Sequence, residues 1–130
     1  MKLEETKLKG SYLIKRENYR DNRGFFDRIF CQTSLKSLLG IKNICQINRT
    51  FTKKEGTVRG LHFQYSPHAE VKIVSCLKGK VWDVALDLRL GSPTFLRYHA
   101  EILSEGDDKS FLIPEGFAPR YQALSANCEM

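Results

Sequence analysis

Val81-Trp82-Asp83-Val84-Ala85-Leu86-Asp87-Leu88 alternates with the two-residue period of a strand. Successive side chains of an extended chain point to opposite sides, so Trp82, Val84, Leu86 and Leu88 share one face and Asp83 and Asp87 the other. Lys78-Gly79-Lys80 reads as the hairpin-like turn that feeds this strand, and Gly91-Ser92-Pro93-Thr94 breaks the chain after it.

The same period continues in both directions. Toward the C-terminus, residues 95–103, 111–113 and 121–124 read as strands, with Pro114-Glu115-Gly116 as a turn. Toward the N-terminus, residues 71–77 and 57–64 follow the pattern, and residues 44–51 alternate Ile44, Gln46, Asn48 and Thr50 against Cys45, Ile47, Arg49 and Phe51. Thr33-Ser34-Leu35-Lys36-Ser37-Leu38-Leu39-Gly40 breaks the period. Its Thr/Ser capping candidates, apolar spacing and terminal glycine predict one short helix near residues 33–40. Residues 25–30 read as an aromatic strand, residues 17–24 as a turn nucleated by Asp21-Asn22, and residues 9–14 as a short strand. Residues 1–9 are charged, with Leu3 and Leu8 as apolar positions. Many short strands with one small helix predict an all-β sandwich or barrel of jelly-roll type. No repeat, low-complexity stretch or linker interrupts it, so residues 1–130 are expected to form a single jelly-roll domain.

Composition narrows the partners. The chain has 42% hydrophobic and 28% charged residues, ordinary for a globular protein, with 21 Lys/Arg against 15 Asp/Glu and a net charge of +6. That balance suits an acidic partner. The basic residues are scattered rather than clustered, which argues against nucleic acid. Cys31, Cys45, Cys76 and Cys128 form no C-x-x-C pair, which argues against a zinc site. The polar start and the lack of a long apolar run give no leader or membrane span to read, so a cytoplasmic protein with reduced thiols and no membrane partner is expected.

Chemistry concentrates in Gly56-Thr57-Val58-Arg59-Gly60-Leu61-His62-Phe63-Gln64. An imidazole can take a proton near neutral pH, and a guanidinium can fork onto a phosphate. On a straight strand Arg59 and His62 face opposite ways, so a site using both requires a bend at Gly60 or an arginine reaching round a rim. Lys72 lies between Val71 and Ile73, and Asp83 between Trp82 and Val84, where a buried charge needs a reason. A face carrying His62, Gln64, Lys72 and Asp83 is either a pocket or a solvated outer surface. Arg23 and Arg59 each precede a glycine that lets an anion approach the backbone. Phe25 and Phe26 are base-stacking or core residues, and Gln46 and Asn48 share a face suited to a sugar or base. Phe63-Gln64 follows His62, and His68 and His99 lie elsewhere, so the paired histidines of a metal-binding barrel are missing and no metal is expected.

Taken in order, these pieces resemble the dTDP-4-dehydrorhamnose 3,5-epimerase family. The matching segments are Asp21-Asn22-Arg23-Gly24-Phe25-Phe26, Gln46-Ile47-Asn48 and residues 56–64, then Pro67-His68-Ala69-Glu70-Val71-Lys72 and Gly79-Lys80-Val81-Trp82-Asp83-Val84. Asp87-Leu88-Arg89, Gly91-Ser92-Pro93-Thr94 and Ile113-Pro114-Glu115-Gly116-Phe117-Ala118 complete the set. The resemblance implies a cupin-like double-stranded β-helix acting on a dTDP-4-keto-6-deoxy sugar, in deoxysugar biosynthesis, as a homodimer without cofactor. It implies His62 as general base, Lys72 as stabiliser of the enolate and Asp83 as support for Lys72. Arg23 and Arg59 look like diphosphate ligands, Gln46 and Asn48 like substrate-positioning residues, and Phe26 like a nucleotide contact. Two departures accompany the match. Pro119-Arg120-Tyr121 stands where the family has His-Gly and an aromatic residue. The family's proton-returning tyrosine and histidine-orienting aspartate fall beyond Met130, so the C-terminal part of the family fold is expected to be absent. A non-catalytic nucleotide-sugar-binding homologue and a cupin-like interaction domain are the other readings.

Overall fold

A computed structural model describes residues 1–130. In chain order its elements are β1 (Lys2–Glu5), β2 (Tyr12–Lys15), β3 (Asn18–Asp21), β4 (Gly24–Asp27), α1 (Lys36–Leu39), β5 (Phe51–Thr52) and β6 (Val58–Gly60). They continue with β7 (Lys72–Val74), β8 (Lys80–Asp87), β9 (Tyr98–Ser104), β10 (Lys109–Ile113), β11 (Phe117–Ala123) and β12 (Cys128–Glu129). Two four-stranded sheets, ordered β1-β2-β10-β7 and β6-β11-β8-β9, face each other, with two-stranded ribbons β5–β12 and β3–β4 at the periphery. All pairings within these sheets and ribbons are antiparallel. The all-β jelly roll read from the alternation is present.

Two cores hold it. Between the sheets, Val81, Ala85, Leu103, Phe111, Ile113, Phe117 and Ala123 pack with Leu8, Cys76 and Cys128. On the outer face of the first sheet, Ile14 and Leu112 pack against Leu35 and Leu39. That packing explains α1. Its N-cap is Leu35, which has no side-chain cap to offer, so the expected Thr/Ser capping is not what fixes it; the burial of Leu35 and Leu39 does. Gly40 closes the helix, its N–H donating to the Lys36 carbonyl at 2.8 Å.

The face of β8 that carries Asp83 and Asp87 is the inward one. Val81, Asp83, Ala85 and Asp87 are buried; on the other face Val84 is also buried, and Trp82 and Leu86 are half-buried. Burial of Asp87 is offset by five hydrogen bonds, one of them from the Arg89 backbone N–H at 3.0 Å. Its carboxylate accepts from Arg89 Nε at 2.9 Å and Nη2 at 2.8 Å, Ser92 Oγ at 2.7 Å and Thr94 Oγ1 at 2.6 Å. Burial alone raises this carboxyl, but the Arg89, Thr94 and Ser92 bonds outweigh it and hold it well below the usual carboxylate range. The 91–94 turn is thereby tied to the barrel wall.

Other expectations need correction. The charged start forms β1, paired with β2. Residues 17–24 do turn at Asn22-Arg23, but as the tip of a hairpin whose first arm is β3. Residues 44–51 keep only the β5 end as strand, because no neighbouring strand pairs with residues 43–49 and Ile47 is exposed. The last long strand starts at Phe117, not residue 121, and contains Pro119. A residue's N–H and C=O point to the same side of a strand, and the Pro119 carbonyl accepts from the His62 N–H at 3.1 Å. The missing N–H therefore faces the side where β6 has already ended, and costs no bond to β8.

Candidate active site

Strand register sets the site. Tyr121 on β11 pairs with Arg59 on β6 and with Asp83 on β8, so the three share the inward face of one sheet. On the facing sheet β7 aligns Lys72 with Ile113. Between the sheets opens a cavity of about 810 Å³, whose lining includes Gln46, Asn48, Arg59, His62, Glu70, Lys72, Asp83 and Tyr121. That volume suits a small-molecule ligand.

The expected bend at Gly60 brings Arg59 and His62 to the same cavity. Gly60 has φ +106°, and a Cβ there would lie 2.7 Å from the Pro119 carbonyl oxygen, so only glycine fits this close approach. β6 ends at that residue, and the following chain is held by the His62 N–H on Pro119.

Glu70 is the hub of the Lys72 side. Lys72 Nζ lies 3.1 Å from Glu70 Oε1, and Gln46 Nε2 donates to Glu70 Oε2 at 3.3 Å. With its amide nitrogen turned toward Glu70, Gln64 donates to Oε1 at 3.0 Å. The expected support of Lys72 by Asp83 is not formed, because the ammonium is drawn to the carboxylate two residues away on its own segment. Asp83 is 2% exposed, and its Oδ2 has no hydrogen-bond partner. Burial pushes its carboxyl up to about 7, against one opposing backbone bond from Val84.

This has a measurable consequence. Between about pH 4 and pH 7 the native state keeps the Asp83 proton that the unfolded chain has released. The folded state then binds more protons, so the stability held below about pH 4 is lost as pH rises through about 7. Asp83→Asn removes that slope. Its thermal midpoint relative to the parent chain is expected to climb from pH 4 to pH 7 and then level off; a constant difference would refute a neutral buried Asp83.

Arg59 is fixed from behind. Its Nε donates to Thr52 Oγ1 at 3.2 Å and its Nη2 to the Phe51 carbonyl at 3.3 Å, leaving Nη1 uncommitted. Arg23 and Phe26 are not brought to the cavity. They sit on the β3–β4 ribbon, where Phe26 is 62% exposed and Arg23 bonds its own neighbour Asp21 at 2.6 Å. Sequence reasoning gave no role to Glu70, Thr52 or Tyr121. For Glu70 a signal was present: Glu and Lys two residues apart on an extended segment share a face.

A family model described as dTDP-4-dehydrorhamnose 3,5-epimerase matches residues 5–130. A relative of that name from Sinorhizobium fredii is 36% identical over 115 residues, 88% of this chain and 59% of the relative, so the chain spans somewhat over half of that protein's length. The crystal structure of a dTDP-4-dehydrorhamnose 3,5-epimerase from Bacillus anthracis, with TDP and PPi bound, superposes with TM-score 0.93 at 34% identity, over 98% of this chain and 73% of that one. A dTDP-6-deoxy-D-glucose-3,5-epimerase from Legionella pneumophila, in complex with dTDP-4-keto-L-rhamnose, gives TM-score 0.87 at 39% identity, over 98% and 68%. With the family pattern matched from residue 5 to residue 130 and the jelly roll superposed over nearly its whole length, this chain belongs to the dTDP-4-dehydrorhamnose 3,5-epimerase family.

Proposed function

We propose that the chain binds a dTDP-4-keto-6-deoxy sugar and epimerises it at C3 and C5 by proton abstraction and return. The observation that carries this reading is the convergence of His62, Lys72 and Arg59 on one cavity of about 810 Å³. The C4 ketone acidifies the hydrogens on its neighbouring carbons. His62 takes one of them; the C–H electron pair becomes the enolate double bond, and negative charge moves to O4. Lys72, with one N–H directed at Glu70 and two free, stabilises that oxygen. Return of a proton from the opposite face inverts the centre. The electron sink is the substrate's own ketone. Arg59 holds the diphosphate with its free guanidinium edge, and Gln46 and Asn48 position the sugar. TDP in the B. anthracis relative and dTDP-4-keto-L-rhamnose in the L. pneumophila one support this ligand class.

The reading places the chain in the cytoplasm, in rhamnose-type deoxysugar biosynthesis for cell-surface polysaccharide, as a homodimer. The dimer has a structural motive. The β3–β4 ribbon presents Arg23, Phe25 and Phe26 to the exterior, away from its own cavity. If Arg23 and Phe26 touch the nucleotide, they reach the cavity of a second copy.

Deuterium incorporation from heavy water into dTDP-4-keto-6-deoxyglucose tests the proposal, since exchange reports abstraction even where reprotonation is slow. Binding of dTDP with no exchange would leave a nucleotide-sugar-binding protein; absence of binding at low salt would remove both readings. Arg59→Ala is expected to weaken dTDP binding by about 10- to 100-fold, the worth of a charged hydrogen bond to phosphate. Calorimetric titration reads it directly, and unchanged affinity would move the diphosphate elsewhere.

A further inference from the structure

Tyr121 stands in the register row of Arg59 and Asp83, and its hydroxyl lies 2.8 Å from Thr52 Oγ1, the same oxygen that accepts Arg59 Nε at 3.2 Å. We infer that Tyr121 and Thr52 form a hydroxyl relay that positions Arg59 toward the anionic part of the ligand. The inference rests on the reading of Arg59 as the diphosphate ligand and adds two positioning residues to it.

Hydrogen-bond capacity carries the argument. A threonine hydroxyl has one proton and two lone pairs on a freely turning bond. Thr52 is 2% exposed, so solvent cannot fix that rotor. Facing Arg59 alone, the hydroxyl would spend part of its time turning its proton toward the guanidinium N–H, donor against donor. Tyr121 gives the Thr52 hydroxyl a second partner, which holds a lone pair on Nε. The Phe51 carbonyl takes a proton of Nη2 at 3.3 Å, so two adjacent bonds define the guanidinium plane. Three of its five N–H groups remain for a ligand, including both on Nη1. A fork fixed in this way loses less freedom on binding an anion than a free arginine does.

The relay requires a hydroxyl on the aromatic ring at position 121 and nothing from the histidine that Pro119 replaces. Tyr121 also packs against the inter-sheet core, so its ring is anchored while its oxygen reaches the cavity wall. Tyr121→Phe removes only that oxygen.

The test uses the full chain, dTDP as ligand, and the Arg59 Nε–H resonance as a ligand-free probe. Tyr121→Phe and Thr52→Val are each expected to weaken dTDP binding about fivefold, one neutral hydrogen bond's worth. Thr52→Ser, which keeps the hydroxyl, is expected to stay within about twofold of the parent by the same measure. On an Arg59→Ala background, Tyr121→Phe should produce no further loss. Without ligand, Arg59 Nε–H exchange with solvent should accelerate about fivefold or more in Tyr121→Phe, as expected for a loosened hydrogen bond. Unchanged Nε–H exchange in both Tyr121→Phe and Thr52→Val overturns the inference whatever dTDP does. An equal loss of affinity with and without Arg59 also overturns it, because Tyr121 would then act directly. If exchange accelerates while Arg59→Ala binds dTDP normally, the relay stands and the diphosphate assignment of Arg59 falls.

Discussion

His62→Ala is expected to lower deuterium incorporation into dTDP-4-keto-6-deoxyglucose by about 10²- to 10⁴-fold, the range for removing a positioned general base. The dTDP affinity should change little. The separation follows from where the two ends of the site lie. His62 lies past the Gly60 bend, and its N–H is tied to Pro119, whereas Arg59 lies before the bend and is tied to Thr52 and Phe51. One side chain can be removed without releasing the other. His62→Ala creates no core void, because the residue is exposed at the cavity mouth and belongs to neither hydrophobic cluster. A fall in exchange is thus a chemical effect rather than lost folding, and an unchanged thermal midpoint would verify that. Exchange that persists in His62→Ala would transfer the base to another group in the cavity, with Glu70 the first to replace.

The sequence made some of this site legible and concealed other parts, for physical reasons. The Arg59–His62 spacing already demanded a bend at Gly60, because strand period and shared function conflict; the close approach of Pro119 and Arg120 to Gly60 supplies it. Alternation in β8 showed two unlike faces but not which turns inward. Both faces carry apolar residues, and Asp87 is tolerated inside only because Arg89, Ser92 and Thr94 fold back onto it. That compensation lies in a loop with no periodicity to read. Residues 44–49 alternate like a strand yet lack a partner to pair with, and pairing is a property of the fold rather than of the segment. Tyr121 gave no sign of its partners. It reads as the first residue of a strand, but its register with Arg59 and Asp83 is set by pairing among three strands distant in sequence, which no single segment shows.

Arg23 presents the sharper conflict between sequence and geometry, and a mixing experiment resolves it. The family resemblance implies a diphosphate ligand at this position, but its side chain is 86% exposed on a ribbon that does not line the cavity. Either the role is wrong or the ribbon serves another copy. In the second case each cavity needs His62 from one protomer and Arg23 from its partner. Arg23→Ala and His62→Ala would each be defective alone, for different reasons. Mixed and allowed to exchange subunits, they would form heterodimers in which the Arg23→Ala protomer contributes His62 and receives the intact Arg23 of its partner. With equal amounts and random pairing, about half of the dimers are mixed and each has one complete cavity, so exchange should recover to about a quarter of the parent rate per chain. Differently tagged chains followed by native mass spectrometry confirm that pairing has occurred. Mixed dimers that show no more exchange than the separate variants would exclude a composite cavity. Arg23→Ala with full activity on its own would show that the ribbon's arginine, despite the resemblance, does not hold the diphosphate.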